Sequence, residues 1–304
     1  MTPQNVATRL LKQCVQVWRY LCWHVNMLFR KSVTVSTKQG VFTIYLASHE
    51  FVGKSLYCYR EFELDMMANS LSFLRSVEQC PPKGQGTVVD IGANNGVSSI
   101  GMLYTGEFEK AIAIEPEPRN FSLLQTNVSQ NGMDDRIVTL PFAASDQKGE
   151  IQFELSHDNF GDHRVRTSSD DVVVASDELY RESKRRVISV PTDQLDNLLD
   201  YLPESFTQDI ALVWIDVQGF ERYAFTGAKN LLSTGIPVVA EIWPYGLRRA
   251  GTSKEQYCEI ASGFWTRYWV WRDEEYIQHP IENLGSLIDE LGYDRNHINI
   301  IFTR

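Results

Sequence analysis

The residues of this sequence best suited to chemistry are a few acids placed around one glycine-bracketed turn. Asp90-Ile91-Gly92-Ala93-Asn94-Asn95-Gly96 leads from the apolar run Thr87–Ile91 into a helix-spaced run, Val97–Tyr104. Glycines let a backbone turn tightly and approach a ligand closely. The helix that follows offers free N–H groups and the positive end of its dipole. Glu115-Pro116 ends the next apolar run, Lys110–Ile114, where a carboxylate can accept both hydroxyls of a ribose. Its distance from the turn is close to the ~20 residues expected between a glycine fingerprint and its ribose acid. Ala143-Ala144-Ser145-Asp146 follows a third run, Ile137–Phe142. The small residues leave room for an adenine ring, and Asp146 is a candidate for its amino group. Asp216 ends a fourth run, Ile210–Ile215, and is expected to face the same crevice.

A dinucleotide site would want GxGxxG, so that a pyrophosphate can sit on the helix. Here Asn94 stands where the middle glycine would be, and Asp90 lies just before the turn. An acid there repels pyrophosphate but suits a cationic sulfonium and its amino group. The expected nucleotide is therefore S-adenosylmethionine rather than NAD.

The elements that must position these residues alternate. Strand-like runs at Thr87–Ile91, Lys110–Ile114, Ile137–Phe142, Ile210–Ile215 and Ile236–Ile242 are separated by helical patterns at Val97–Tyr104, Arg119–Asn131 and Phe220–Leu232. Short apolar strands between helices predict a parallel sheet covered on both faces. Asn299–Thr303 reads as a final edge strand. Cys80-Pro81-Pro82-Lys83-Gly84-Gln85-Gly86 cannot continue a helix and divides the chain. The division gives an extension, 1–85, and a domain, 86–304. In the extension, residues 5–30 form an amphipathic helix, Ser32–Ser36 and Val41–Ala47 a hairpin, and Glu61–Val77 a second helix. The polar stretch 156–186 breaks the rhythm and reads as an insertion or cover over the site.

The net charge is −10, which argues against a protein that grips nucleic acid by its phosphates. The first 49 residues carry six Lys or Arg and no acid, leaving −16 for the rest. Helix 5–30 sets Trp18, Leu21, Val25 and Leu28 opposite Arg9, Lys12, Arg19 and Arg30, a pattern suited to a membrane interface, to the domain itself or to a second subunit. Gln16, Arg19 and His24 break its apolar run, so it reads as neither a secretory signal nor a membrane span. Five cysteines without CxxC spacing read as free thiols in a reducing compartment. A cytoplasmic protein is expected, with residues 5–30 a candidate peripheral contact at the inner membrane surface.

With these residues in view, the sequence resembles the FkbM family of methyltransferases over about residues 86–244. The resemblance rests on the 88–96 turn, Glu115-Pro116-Glu117-Pro118, Asn120-Phe121-x-x-Leu124-x-x-Asn127, Ala143-Ala144-Ser145-Asp146-x-x-Gly149 and Asn159-x-Gly161. It continues through Thr192-x-x-Leu195-Asp196, Ile215-Asp216-Val217-Gln218-Gly219-Phe220-Glu221, Gly227-Ala228 and Glu241. It implies a Rossmann-like class I methyltransferase fold and methyl transfer from S-adenosylmethionine, usually to a hydroxyl of a sugar, glycan or natural product. It further implies a donor site of Asp90, Gly92, Ala93, Asn94, Asn95, Gly96, Glu115, Pro116, Asn120, Ala144 and Asp146. Asn159, Gln218 and Glu241 become candidates for the acceptor. One departure stands out. The family commonly carries Asp-x-Glu-Gly-x-Glu after the fourth strand, and here the middle acid is Gln218. That weakens any metal reading, and the six histidines show no ligand spacing, so no metal site is expected.

An alcohol acceptor must lose a proton, and a positioned base speeds that by about 10²- to 10⁴-fold. Asp216, Glu221 and His163 are the candidate bases. Asp216 can instead cap the following helix, Glu221 can organise the turn before it, and His163 can be merely exposed. Other readings stay open on the residues alone: a non-catalytic membrane-associated module with a nucleotide fold, a nucleic-acid methyltransferase or a polyamine-forming transferase.

Overall fold

The computed structural model describes residues 3–157, 159–166, 179–180 and 182–304, with side chains from residue 13 onward. Its centre is an eight-stranded sheet. In chain order the first members are β3 (Thr87–Ile91), β4 (Lys110–Ile114) and β5 (Ile137–Leu140), which follow an N-terminal hairpin, β1 (Ser32–Thr37) and β2 (Gly40–Tyr45). Then come β10 (Ile210–Ile215), β11 (Val238–Ile242), β12 (Arg267–Arg272), β13 (Glu275–Pro280) and β14 (Ile298–Thr303). The spatial order is β13-β12-β14-β11-β10-β3-β4-β5. From β11 to β5 the strands run parallel, and β14 is antiparallel to both its neighbours. After β3 the chain steps outward through β4 and β5, then returns to β10 on the other side. The order therefore reverses between β3 and β10, which is where open α/β sheets bind ligands.

The parallel strands are unbroken apolar runs because both faces are covered. Along each strand alternate residues enter opposite layers. Val89, Ile91, Ile112, Ile114, Val213 and Ile215 pack in one layer with α8 (Glu221–Thr226), α9 (Lys229–Ser233), α11 (Lys254–Phe264) and α12 (Leu284–Leu291). Val88, Ala111, Ala113, Leu212 and Trp214 pack in the other with α4 (Val97–Tyr104) and α5 (Pro118–Gln130). The N-terminal segment completes this second layer. Phe42 and Ile44 of β2, Leu56 of α2 (Val52–Tyr59) and Leu71 of α3 (Leu64–Ser76) are all buried in it. The hairpin is tied to α5 by side chains: Thr43 N donates to Asn127 Oδ1 at 2.8 Å and Val41 N to Asn131 Oδ1 at 2.9 Å.

Four features differ from the sequence expectation. The final strand, β14, lies between β11 and β12 rather than at an edge; Ile300, Ile301 and Phe302 are buried, and the unforeseen hairpin β12–β13 forms the edge. The expected helix 220–232 is split into α8 and α9. Gly227 sits at the break, where any Cβ would stand 1.8 Å from the carbonyl oxygen of Ser145. The second expected helix starts at Leu64, because Glu63 before it adopts a left-handed φ of 49°. A small second sheet, β6 (Ala143–Ala144), β9 (Arg186–Asp193), β7 (Gly149–Leu155) and β8 (Arg164–Val165), occupies part of the region read as an insertion. Residues 158, 167–178 and 181 of that region lie outside the described residues. The five cysteines are all unpaired. Among the described residues no helix is long and apolar enough to cross a membrane.

Candidate active site

A cleft enclosing about 930 Å³, open mouth included, lies over the C-terminal ends of β3, β4 and β10. That size suits a nucleotide-sized ligand. The turn after β3 forms its floor. Gly92 N and Ala93 N both donate to Ile114 O, at 2.9 and 3.0 Å. Gly92 has φ +89°, and a Cβ there would fall 1.9 Å from Asp216 O. Only glycine lets the β3 turn and the end of β10 come this close. Asn94 takes a left-handed φ of 52° and donates its N–H to Glu115 Oε2 at 2.9 Å.

Glu115 Oε1 accepts from Glu117 N at 2.8 Å, so each carboxylate oxygen is held by one backbone donor. Each keeps a further lone pair for a ligand. Burial pushes the Glu115 carboxyl up to about 8, against the pull of the two N–H bonds. Asp90 is held by the first turn of α4: Ser99 N donates to Oδ2 at 3.0 Å and the Ser99 hydroxyl to the same oxygen. Burial raises Asp90 to about 6, opposed by the Ser99 bonds. Glu117 caps α5 by accepting from Arg119 N and Asn120 N. Asn120 Nδ2 donates to Phe160 O at 2.9 Å, while its buried Oδ1 has no partner.

At the other end of the cleft are Asp216, Gln218 and Glu63. Asp216 is walled by protein but open to the cleft. Burial raises its pKa, opposed by bonds from Gln218 and by His297, and reinforced by Asp162. Gln218, at a left-handed φ of 55°, donates Nε2 to Asp216 Oδ1 at 2.6 Å and to Glu241 Oε2 at 3.4 Å. Glu63 is raised to about 7 by burial and then by Asp216. Glu241 is raised well above the carboxylate range by burial, then by Asp216, Glu221 and Glu63.

The structure brings most of the sequence-predicted residues together. Asp90, Gly92, Ala93, Asn94, Glu115, Pro116, Asn120, Ala144, His163, Asp216 and Gln218 line the cleft. Asn95, Gly96, Asp146, Asn159, Glu221 and Glu241 do not. Asn95 accepts from Asn127 Nδ2 through its carbonyl at 2.8 Å, and Gly96 packs against Leu124. Asp146 is held by Ser145 and Gln194. Asn159 Oδ1 accepts from Gly161 N. Glu221 turns inward, where Oε1 accepts from Val217 N and Gly219 N and Oε2 is buried without a partner. It organises the Asp216–Gly219 turn and does not reach the cleft. His163 Nδ1 accepts from Ser156 N at 3.0 Å, which leaves the ring proton on Nε2. Burial, with Arg185, Arg119 and Arg164, pushes its pKa down to about 3. His163 is therefore neutral, with its acceptor nitrogen already engaged.

Sequence reasoning missed the contribution of the N-terminal segment. Val52, Phe62 and Glu63 line the cleft. Buried Glu50 accepts from Gly53 N at 2.9 Å and from Phe160 N at 2.8 Å, and so pins the loop that carries His163. No periodicity or motif marks these residues. Behind that loop a buried network joins Arg164 and Arg185 to Asp162, with Glu154 and Glu182 around Arg164. Tyr245 donates to Glu182 at 2.6 Å and links the network to α10 (Pro244–Arg249). Among the described residues no group of three or more His, Cys, Asp or Glu is disposed to hold a metal.

The model of the methyltransferase FkbM domain matches residues 90–279, from the end of β3 almost to the end of β13. The chain belongs to the FkbM methyltransferase family. A 2-O-methyltransferase, NoeI, from Sinorhizobium fredii is 29% identical to it over 168 residues, 54% of this chain and 66% of the relative, just under two thirds of its length. A methyltransferase FkbM structure from Methylobacillus flagellatus superposes with a TM-score of 0.43 at 17% identity, over 84% of this chain and 56% of that one. A precorrin 8W decarboxylase from Methanobacterium thermoautotrophicum gives a TM-score of 0.38 at 11% identity, over 77% and 89%.

Proposed function

We propose that this FkbM-family chain transfers a methyl group from S-adenosylmethionine to a hydroxyl of a sugar or similar polyhydroxyl compound. The observation that carries the reading is one cleft holding Glu115 fixed by two backbone N–H groups at one end and Asp216 at the other. The residues fit the donor. Glu115 has the free lone pairs a ribose needs, Asp90 and the Gly92 turn can face an ammonium and a sulfonium, and Ala144 leaves room for a base. When bound, S-adenosylmethionine supplies a methyl group on positively charged sulfur.

The chain's own residues then align, shield and take a proton. Alignment of reactants in such a cleft is worth about 7–11 kcal/mol. Asp216 accepts the acceptor's hydroxyl proton. Its raised pKa makes it a stronger base than an isolated aspartate, and Gln218 orients it by donating to Oδ1. Neutral His163, whose Nδ1 already accepts from Ser156 N, does not compete for the proton. Gln218 and Glu63 add hydrogen-bonding groups of the kind a sugar uses, and the named activity of the NoeI relative, 2-O-methylation, favours an oxygen acceptor.

Titration calorimetry with S-adenosylhomocysteine, followed by labelled methyl transfer to a glycan panel, tests the reading. Binding with transfer to a hydroxyl is expected. Absence of heat with the nucleotide would overturn it.

A further inference from the structure

The N-terminal helix, α1 (Pro3–Phe29), is attached by one face only. Trp23 is wholly buried and stacks edge-on with Tyr57 of α2 at 5.5 Å. Asn26 Nδ2 donates to the Tyr57 hydroxyl at 3.2 Å, and Arg19 to the Cys58 carbonyl at 3.2 Å. At 3.6 residues per turn, Trp23, Asn26 and Arg19 lie on one side. The opposite side carries Val17, Trp18, Leu21, Val25, Leu28 and Phe29, each between 55% and 80% exposed. These positions form one unbroken apolar stripe roughly 18 Å long, with no charge inside it. Isolated exposed apolar residues are ordinary, but a contiguous stripe of this kind marks a contact surface. The sequence pattern had grouped Trp18, Leu21, Val25 and Leu28 as one face. The structure turns that face away from the protein.

The charge around the stripe selects the occupant. Residues 1–60 carry eight Lys or Arg against one acid, Glu50, which is buried. That is +7 here and −17 over the remaining residues. Arg30 and Lys31 are exposed at the end of the stripe, and Lys54 lies over the ring of exposed Tyr20 at 4.6 Å. A second copy docking symmetrically on the stripe would set one +7 module against another. An anionic bilayer offers hydrocarbon to the stripe and opposite charge to its cations.

We propose that the outward face of α1 seats the protein on the surface of an anionic lipid bilayer. The helix lies in the interface plane, with Trp18 and Phe29 at headgroup depth and the exposed Arg30 and Lys31 at its end reaching the lipid phosphates. Next to the attached face of α1, exposed Phe51 packs edge-on against Phe62, and Phe62 and Val52 line the cleft.

The test is co-sedimentation of the full chain with phosphatidylcholine vesicles, with and without phosphatidylglycerol. Binding is expected to the anionic vesicles, weakening as salt rises. Combining Trp18→Ser, Leu21→Ser and Phe29→Ser should lower the partition coefficient on the order of 100-fold. These side chains are exposed, so the melting temperature should stay unchanged. Equal binding to neutral and anionic vesicles, or no loss in the triple variant, would overturn the proposal. So would a dimer in lipid-free solution that the triple variant dissociates, since the stripe would then belong to a second copy.

Discussion

At the end of the cleft we propose for the donor, Glu115 is held by backbone N–H groups from Asn94 and Glu117, and Asp90 by the first turn of α4. At the end proposed for the acceptor, Asp216 is surrounded by side chains from separate segments: Gln218 beside it, Glu241 on β11, Glu63 before α3 and His297 before β14. The first end is set largely by main chain at the ends of two neighbouring strands, β3 and β4. The acceptor end is set by electrostatics between distant pieces. Backbone geometry leaves a short local pattern, whereas a charge cluster assembled by the tertiary fold leaves none. The first kind of site tolerates change of surroundings but not of the turn. The second should respond in a graded way to each charge.

The largest expected effect divides the two ends. Asp216→Asn should lower kcat by about 10²- to 10⁴-fold while leaving nucleotide affinity within about threefold, because the residue acts on the acceptor's proton. Turnover and S-adenosylhomocysteine binding measured on one preparation check this. Equal loss of both would make Asp216 part of the donor site and abolish the division.

Glu115→Gln should act at the other end. Losing charged hydrogen bonds of about 1.5–3 kcal/mol predicts nucleotide binding weaker by roughly 10- to 100-fold. Calorimetry reads it directly. A change confined to turnover would place Glu115 outside the donor site.

Next comes pH. In the free protein Glu115 titrates at about 8, so at neutral pH it is mostly protonated. Ribose hydroxyls donate best to the ionised form. Nucleotide binding should therefore release a proton and strengthen as pH rises from 6 to 8, by up to about tenfold per unit. The dependence of binding enthalpy on buffer ionisation counts that proton. The ligand-free protein should respond in the opposite sense. Asp90, Glu221 and Glu115 have folded pKa values of about 6, 7 and 8, above their unfolded ones. Their contribution to stability is full below the unfolded values and is lost as pH rises through the folded ones. A melting temperature that climbed from pH 5 to pH 8 would contradict this burial of acids.

The same contrast explains what could be read from the residues alone. The parallel strands were legible because burial on both faces demands unbroken apolar runs, and the Gly92 turn because its φ of +89° demands glycine. Asp216 was legible from its place at a strand end. Glu50 and Glu63 were not, since their contacts with Phe160 and the Asp216 cluster are made only by folding residues 1–85 over the sheet. β14 was read as an edge strand because an apolar run says that a strand is buried, not which neighbours bury it. Glu221 was read as either a base or the organiser of its turn, and the Val217 and Gly219 N–H groups that claim it appear only with the turn's conformation.

The smallest effect tests the acceptor end at its one unusual residue. Gln218 donates to Asp216 Oδ1 and reaches toward Glu241, so an amide separates two carboxylates. Gln218→Glu would remove the donor and add a third carboxyl group beside an already raised Asp216. Both changes disfavour ionisation of Asp216. The acid limb of the kcat profile should move up by about one pH unit, and turnover at pH 7 should fall several-fold, with nucleotide affinity unchanged. Adding magnesium or manganese discriminates the cause. If turnover of the variant is restored only by a divalent cation, the three carboxylates have made a metal site that the native amide precludes. If turnover recovers simply by raising the pH, the amide's role is to keep Asp216 ionisable, as the geometry indicates.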